Sequence, residues 1–387
     1  TDGAPGAEST LTTGNNVDAH KGGDRPDGGG SLNFDFPIDL NENPATNTPP
    51  YLTNLFYLNN IMHDVFYQYG FDEASGNFQE NNYGNGGVGS DSVDANGQVG
   101  NVCNANFGTP PDGQNPTMNM YICNGHDGNL DGGVVMHEYG HGVDRRLVAG
   151  PSNVGCNNNT ENMGEGICDW LGMMVSIEPG DTGVDPRGVG TYLLGQAPTG
   201  PGVRNYRYST DLAINPQTYA DLPGTGGQTH NVGEIWGVTI WEVSWALIDE
   251  HGFDADIYTF TGDVNQDAGN IQAMALIIEG LKLQPCNSGF VDARDAIFAA
   301  DLAIYGGANE CILWDAFAKR GLGFSADQGS SNSHTDGTAA FDSPVPALNT
   351  TDDVLCVSQG VQVFGGGTPI GGVYSGPGVT DDGNGLT

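Results

Sequence analysis

His137-Glu138-Tyr139-Gly140-His141 has the residue types and spacing of a metal-dependent hydrolytic site. On an α-helix, residues four apart lie on one face, so the two imidazoles can grip a single ion. Glu138 would then flank the ion's open position, where a general base for an activated water belongs. Two histidines do not complete such a site, which takes three protein ligands and keeps one position open. A layout with a glycine and a third histidine just downstream is excluded, because those positions hold Asp144 and Leu147. The other common arrangement takes a glutamate from a second helix. Gly164-Glu165-Gly166-Ile167-Cys168-Asp169-Trp170 supplies it, with Glu165 24 residues after His141. Glu165 and Asp169 are again four apart, so one carboxylate can bind the ion while the other accepts the free ring N–H of a ligand histidine, with His137 expected. The plainer alternative makes Glu165 a helix cap and Asp169 a solvated charge. The upstream motif and the apolar run Leu171-Gly172-Met173-Met174-Val175 weigh against it.

These motifs resemble the fungalysin peptidases, secreted zinc endopeptidases related to thermolysin. The resemblance extends to Thr53-Asn54-Leu55-Phe56-Tyr57, Ile61-Met62-His63-Asp64, Asn104-Ala105-Asn106-Phe107, Tyr208-Ser209-Thr210-Asp211 and Ala316-Phe317-Ala318-Lys319-Arg320-Gly321, spanning roughly residues 30 to 345. Ile167-Cys168 stand where fungalysins more often have Trp-Ser or Trp-Gly, a change that touches neither ligand. The resemblance implies an α+β, thermolysin-like, two-lobed fold with the zinc helix at the cleft. It implies one catalytic zinc on His137, His141 and Glu165, with Glu138 as base and Asp169 behind a ligand histidine. It also implies that His230 stabilises the oxyanion, that Arg204 holds a substrate carbonyl, and that Asn104, Ala105 and Asn106 form the edge to which a peptide adds as a strand. A tyrosine beside the oxyanion has no counterpart between His141 and Glu165, leaving Tyr206 and Tyr208 as candidates. Fungalysins lose a signal peptide and an inhibitory propeptide on maturation, and this chain resembles the mature form.

The pattern along the chain divides it into a β-rich lobe at 1–133, an α-helical lobe at 134–346, and a linker with the start of a β-sandwich-like module at 347–387. Helices are expected at 52–69, 234–250, 271–283, 291–305 and 310–320. His63 and Asp64 on the first of these read as a structural pair. With 48 acidic and 11 basic residues the formal charge is −37. Such a surface repels nucleic acid and anionic membranes, and it suits high salt, where self-repulsion is screened. No apolar run is long enough to span a membrane. The expected partners are protein or peptide substrates, and the expected state is a monomer.

None of the seven cysteines forms a Cys-x-x-Cys pair, so disulfides in an extracellular setting are the better reading. Connectivity does not follow from sequence; Cys286–Cys311 is the favoured bridge, with Cys103–Cys123 and Cys156–Cys168 as the other pairings considered and Cys356 then left over. Asp127, Asn129 and Asp131 alternate like the first half of a calcium loop, and Asp263-Val264-Asn265-Gln266-Asp267 repeats the pattern more weakly. A plain acidic turn is the alternative for both. For the whole chain, the alternative to an enzyme is a catalytically silent zinc-containing binding or adhesion module. An intact Glu138 weighs against it, since such a module has no need of a base beside the metal.

Overall fold

The computed structural model describes residues 9–344. The linker and β-sandwich-like start expected at 347–387, and Cys356 with them, lie outside the described residues. The first strand, β1 (Val17–His20), is followed by a loop that leads into α1 (Pro49–Gln68). Pro49 and Pro50 occupy the first turn of α1, where a missing N–H leaves no hydrogen bond unmade. Leu52, Leu55, Leu58, Met62, Val65 and Phe66 form its buried face. His63 Nδ1 lies 3.0 Å from Asp64 Oδ1 and Nε2 lies 3.4 Å from Asn77, a structural pair as expected.

Three further strands, β2 (Val93–Asn96), β3 (Ala105–Gly108) and β4 (Thr117–Met120), complete a sheet of order β1-β2-β4-β3. β1, β2 and β4 run parallel and β3 runs antiparallel to β4. Alternation buries Val17, Ala19, Val93, Ala95, Met118 and Met120 in a common core with α1. Among the described residues β3 pairs on one side alone, so it forms an edge. A short hairpin, β5 (Ile122–Cys123) and β6 (His126–Asp127), then turns the chain into α2 (Gly132–Leu147).

The helices that follow are α3 (Gly164–Val175), α4 (Thr229–His251), α5 (Gly269–Leu283), α6 (Phe290–Tyr305) and α7 (Glu310–Lys319). α4 begins five residues earlier than the periodicity predicts. The Gln228 side chain accepts from Asn231 N and caps it, which draws His230 into the first turn. α2 packs on α3 and α3 on α4. At the second contact the backbones touch: a Cβ on Gly166 would lie 1.9 Å from Gly233 O. Gly166→Ala is therefore expected to force the helices apart, destabilising by about 1–3 kcal/mol or more. Urea unfolding of the purified variant checks this, and a wild-type midpoint would show that the contact can yield.

Of the pairings considered, Cys103–Cys123 forms. The favoured Cys286–Cys311 bridge does not, nor does Cys156–Cys168, because Cys286 is joined to Cys156, 130 residues away. The loop after α2 lies on the α5–α6 connection, where Asn287 N donates to Cys156 O at 2.7 Å and Asn159 Nδ2 to Ser288 O at 2.7 Å. Pairing by closeness in sequence misses this approach. Cys168 is a buried thiol inside α3. Among the described residues no helix is long and apolar enough to cross a membrane.

Candidate active site

Asp131 sets the start of α2, accepting from Val134 N at 3.2 Å and from Leu193 N at 2.9 Å. The helical period then places His137, Glu138 and His141 toward a cavity of about 600 Å³ that Glu165, Arg204 and His230 also line. α3 brings Glu165 opposite both imidazoles. His137 Nε2 is 3.4 Å from Glu165 Oε2, and His141 Nε2 is 3.7 Å from Glu165 Oε1. The two rings stand perpendicular, at 89°, with centroids 4.8 Å apart. Donors bound tetrahedrally to one zinc at about 2.0–2.1 Å lie roughly 3.4 Å from each other, so each imidazole stands from Glu165 at about the spacing of a shared coordination sphere.

Cys168 also lies close to the histidines, its Sγ 3.3 Å from His141 Nδ1. That contact is with the nitrogen other than the one facing Glu165. The thiol thus stands behind the ring, as a partner of its outer nitrogen, and Glu165 remains the third ligand the geometry favours. His137 has the corresponding support from Asp169, whose Oδ1 is 2.7 Å from Nδ1. Such contacts fix a ligand's tautomer and direction.

Asp169 is fully buried and gathers further donors. Arg204 Nε reaches its Oδ2 at 2.6 Å and Nη2 its Oδ1 at 2.9 Å, while the same Nη2 donates to Glu165 Oε2 at 3.1 Å. The Tyr208 hydroxyl donates to Asp169 Oδ2 at 2.6 Å. With no exposed surface and its proton directed at Asp169, Tyr208 is removed as an oxyanion candidate. Tyr206 is half-exposed, and its backbone N donates to Glu234 Oε1 at 2.7 Å.

Charge explains what this cluster can hold. Burial pushes Glu138 up to about 7, against the pull of His137. Burial also acts on Glu165 and Asp169, but His137 and Arg204 outweigh it and hold both well below the usual carboxylate range. His137 is raised to about 10, since Asp169 and Glu165 overcome the effect of its burial. His141 is held down at about 3 by burial and the neighbouring charge of His137. Without an ion, the proton on His137 and the Arg204 guanidinium balance Glu165 and Asp169, and a divalent ion on the imidazoles would displace that proton and supply its charge. Among the described residues Glu138 Oε2 is buried without a hydrogen-bond partner. A buried acceptor left open costs free energy unless a donor arrives, and a water beside the ion would be that donor. The residues fit the metal.

His230 stands across the cavity with Nε2 3.5 Å from Glu165 Oε2 and its side chain 57% exposed. Gln228 Nε2 donates to its Nδ1 at 3.0 Å, which leaves the ring proton on Nε2, on the cavity side. Asn104, Ala105 and Asn106 line the opposite wall at the start of β3. The Asn106 side chain is tied to Asn119 at 2.9 Å and Tyr121 at 3.3 Å, whereas Asn104 is exposed. Asp127 accepts from Asn129 N at 3.0 Å and Gln98 Nε2 at 2.6 Å. Together with the Asp131 cap, these bonds use the acidic run to shape the turn before α2. The second run does similar work, Asp267 accepting from Thr261 N, Gly262 N and Tyr305.

Sequence reasoning missed Glu234, which accepts from Asn205 N and Tyr206 N and so pins the segment after Arg204 to α4. Its place one turn beyond His230 was the available signal. Gln228 and Cys168, the supports of the two histidines, were missed as well.

Residues 2–326 match the profile of a family described as fungalysin metallopeptidase. An extracellular metalloproteinase MEP of Pyricularia oryzae is 44% identical over 337 residues, covering 82% of this chain and 52% of the relative. An extracellular metalloproteinase 2 of Trichophyton tonsurans is 41% identical, covering 81% and 51%. The chain thus spans about half the length of the curated relatives it matches. Among solved structures, the precursor of protealysin, a metalloproteinase from Serratia proteamaculans, aligns at a TM-score of 0.40 and 14% identity, covering 71% of this chain and 80% of that one. Since the profile takes in α2, α3 and the helices up to α7, the chain belongs to the fungalysin family of metallopeptidases.

Proposed function

We propose that the protein is a secreted zinc endopeptidase that cleaves extended peptide segments. The observation that carries this reading is the Oε2 of Glu138, buried and without a partner among the described residues, beside two imidazoles and the Glu165 carboxylate at an open cavity. His137, His141 and Glu165 would hold the zinc, which when bound brings the pKa of its water to about 7 and polarises a carbonyl. Glu138 takes the proton of the attacking water and delivers it to the leaving amine. His230 donates Nε2–H to the oxyanion. Arg204, held flat by Asp169 and Glu165, grips the substrate carbonyl on the leaving-group side. The open edge of β3 receives the peptide backbone as an added strand, with Asn104 and Ala105 at its start. Val134, Val189, Leu193 and Val203 give the cavity an apolar wall that suits an apolar residue after the cut. The relatives' names say extracellular, in keeping with two disulfides here.

Casein degradation by the purified protein, its loss with a zinc chelator and its return with added zinc test this reading. Bound zinc without cleavage would instead favour a silent binding module. His230→Ala is expected to lower kcat by about a hundredfold or more, the loss usual for one oxyanion donor. Single-turnover rates on a chromogenic peptide measure it, and an unchanged rate removes His230 from the mechanism.

A further inference from the structure

The strand proposed to receive substrate is only four residues long and pairs with β4 on one side. Strands of this kind open at low free-energy cost unless something holds their ends. Both ends of β3 are held. At the far end the Phe107 ring packs against Phe78 at 5.8 Å and against Tyr139 at 6.4 Å, and Tyr139 belongs to α2, between the two ligand histidines. At the near end Cys103, two residues before the strand, is bonded to Cys123 of β5. Cys123 is fully buried, whereas Cys103 is exposed at the rim of the cavity beside Asn104 and Ala105. The segment leading to Cys103 is itself laid along β4 and β5, with Val99 N donating to Met120 O and Ile122 N to Gly100 O, both at 2.9 Å. The bridge therefore closes the last gap between a buried anchor and the start of the docking edge.

We propose that Cys103 and Cys123 are positioning residues for substrate capture. Their disulfide keeps the entrance of β3 at a set distance from α2, so that a peptide long enough to lie along the strand finds a preformed edge. The bridge touches neither the ligand histidines nor Glu138, so it governs binding of extended substrates and not the chemical step. A preformed edge lowers KM because the strand's ordering is not charged to each binding event. This inference rests on the endopeptidase reading above.

The test compares the zinc-loaded protein with its Cys103→Ser/Cys123→Ser variant on two substrates: a peptide of eight or more residues, and a blocked dipeptide that offers little beyond the scissile bond. The expected result is a KM raised about five- to tenfold for the long peptide at unchanged kcat, with kcat/KM for the dipeptide and the zinc content both at wild-type level. Equal losses on both substrates, or none on either, overturn the proposal. Amide hydrogen exchange gives a second readout, faster exchange being expected at residues 104–108 while α2 keeps its protection. Uniformly faster exchange would mean general destabilisation and would also overturn it. Should the double variant not fold, Cys103→Ser alone, which opens the bridge at its exposed end and leaves the buried Cys123 in place, is expected to give the same KM-only signature on the long peptide. If the wild-type protein cleaves neither substrate, it is the endopeptidase reading that fails. Cleavage of both, with the variant indistinguishable, sinks only the role of the bridge.

Discussion

Glu138→Gln is expected to lower kcat by about 10²–10⁴-fold while zinc content stays at the wild-type level. Glutamine keeps the shape of the side chain and its place on α2, so the packing around Tyr139 and Gly140 is undisturbed. What it loses is the capacity to accept a proton, and no other carboxylate near the cavity can take over. Asp169 already accepts from Arg204 and Tyr208 and contacts His137, and Glu165 faces both imidazoles and accepts from Arg204. Among the described residues Glu138 Oε2 is buried without a hydrogen-bond partner. Turnover on a peptide substrate, with metal analysis of the same preparation, gives the answer. A variant that keeps its zinc and retains more than about a tenth of the rate would remove Glu138 as the base.

The second large effect concerns Asp169. Asp169→Ala is expected to destabilise the protein by about 3–5 kcal/mol, because it strands the guanidinium of Arg204, whose side chain is 6% exposed, with only Glu165 as counter-charge. It is also expected to weaken zinc binding about 10–100-fold, since His137 loses the acceptor that fixes its ring. Asp169→Asn should recover part of the stability, its carbonyl still accepting one Arg204 bond, and less of the zinc affinity. Urea unfolding and competition with a chromophoric chelator measure the two effects separately. Stability close to wild type in the alanine variant would mean that Arg204 finds another partner.

Much of this centre was legible before the fold was known, for a reason of scale. His137 with His141 and Glu165 with Asp169 are each one helical turn apart, so two short stretches place four side chains in pairs on helix faces. Whether the pairs meet is another matter. Their meeting depends on backbone contact between α3 and α4 at Gly166 and Gly233, and between α2 and α3, where a Cβ on Gly140 would lie 2.9 Å from Cys168 Cα. In the sequence these glycines look like any of the 62 present. The roles of Tyr208 and Glu234 were hidden for the same reason, because their partners lie 39 and 28 to 29 residues away in sequence.

The disulfides mark the same division. Cys103 and Cys123 flank a short excursion of the sheet and are joined, as the sequence allowed among other pairings. Cys286 bonds across 130 residues to Cys156, an approach created by the loop after α2 lying on the α5–α6 connection. The alternating acidic run at Asp127–Asp131 could be read as a cation loop or a turn, since both use the same oxygens. In the fold Gln98 donates to Asp127 and Leu193 to Asp131, so the run shapes a turn and caps α2.

By itself the amino-acid order determined the chemistry on offer: candidate ligand types, a candidate base one residue from one of them, and candidate supports a turn away, all set by helical periodicity. Only the tertiary structure decided which oxygens stay open, which histidine is backed by a carboxylate and which by a thiol, and which cysteines join. Those outcomes depend on contacts between distant segments, where side-chain volume and unmet hydrogen bonds select one packing from many.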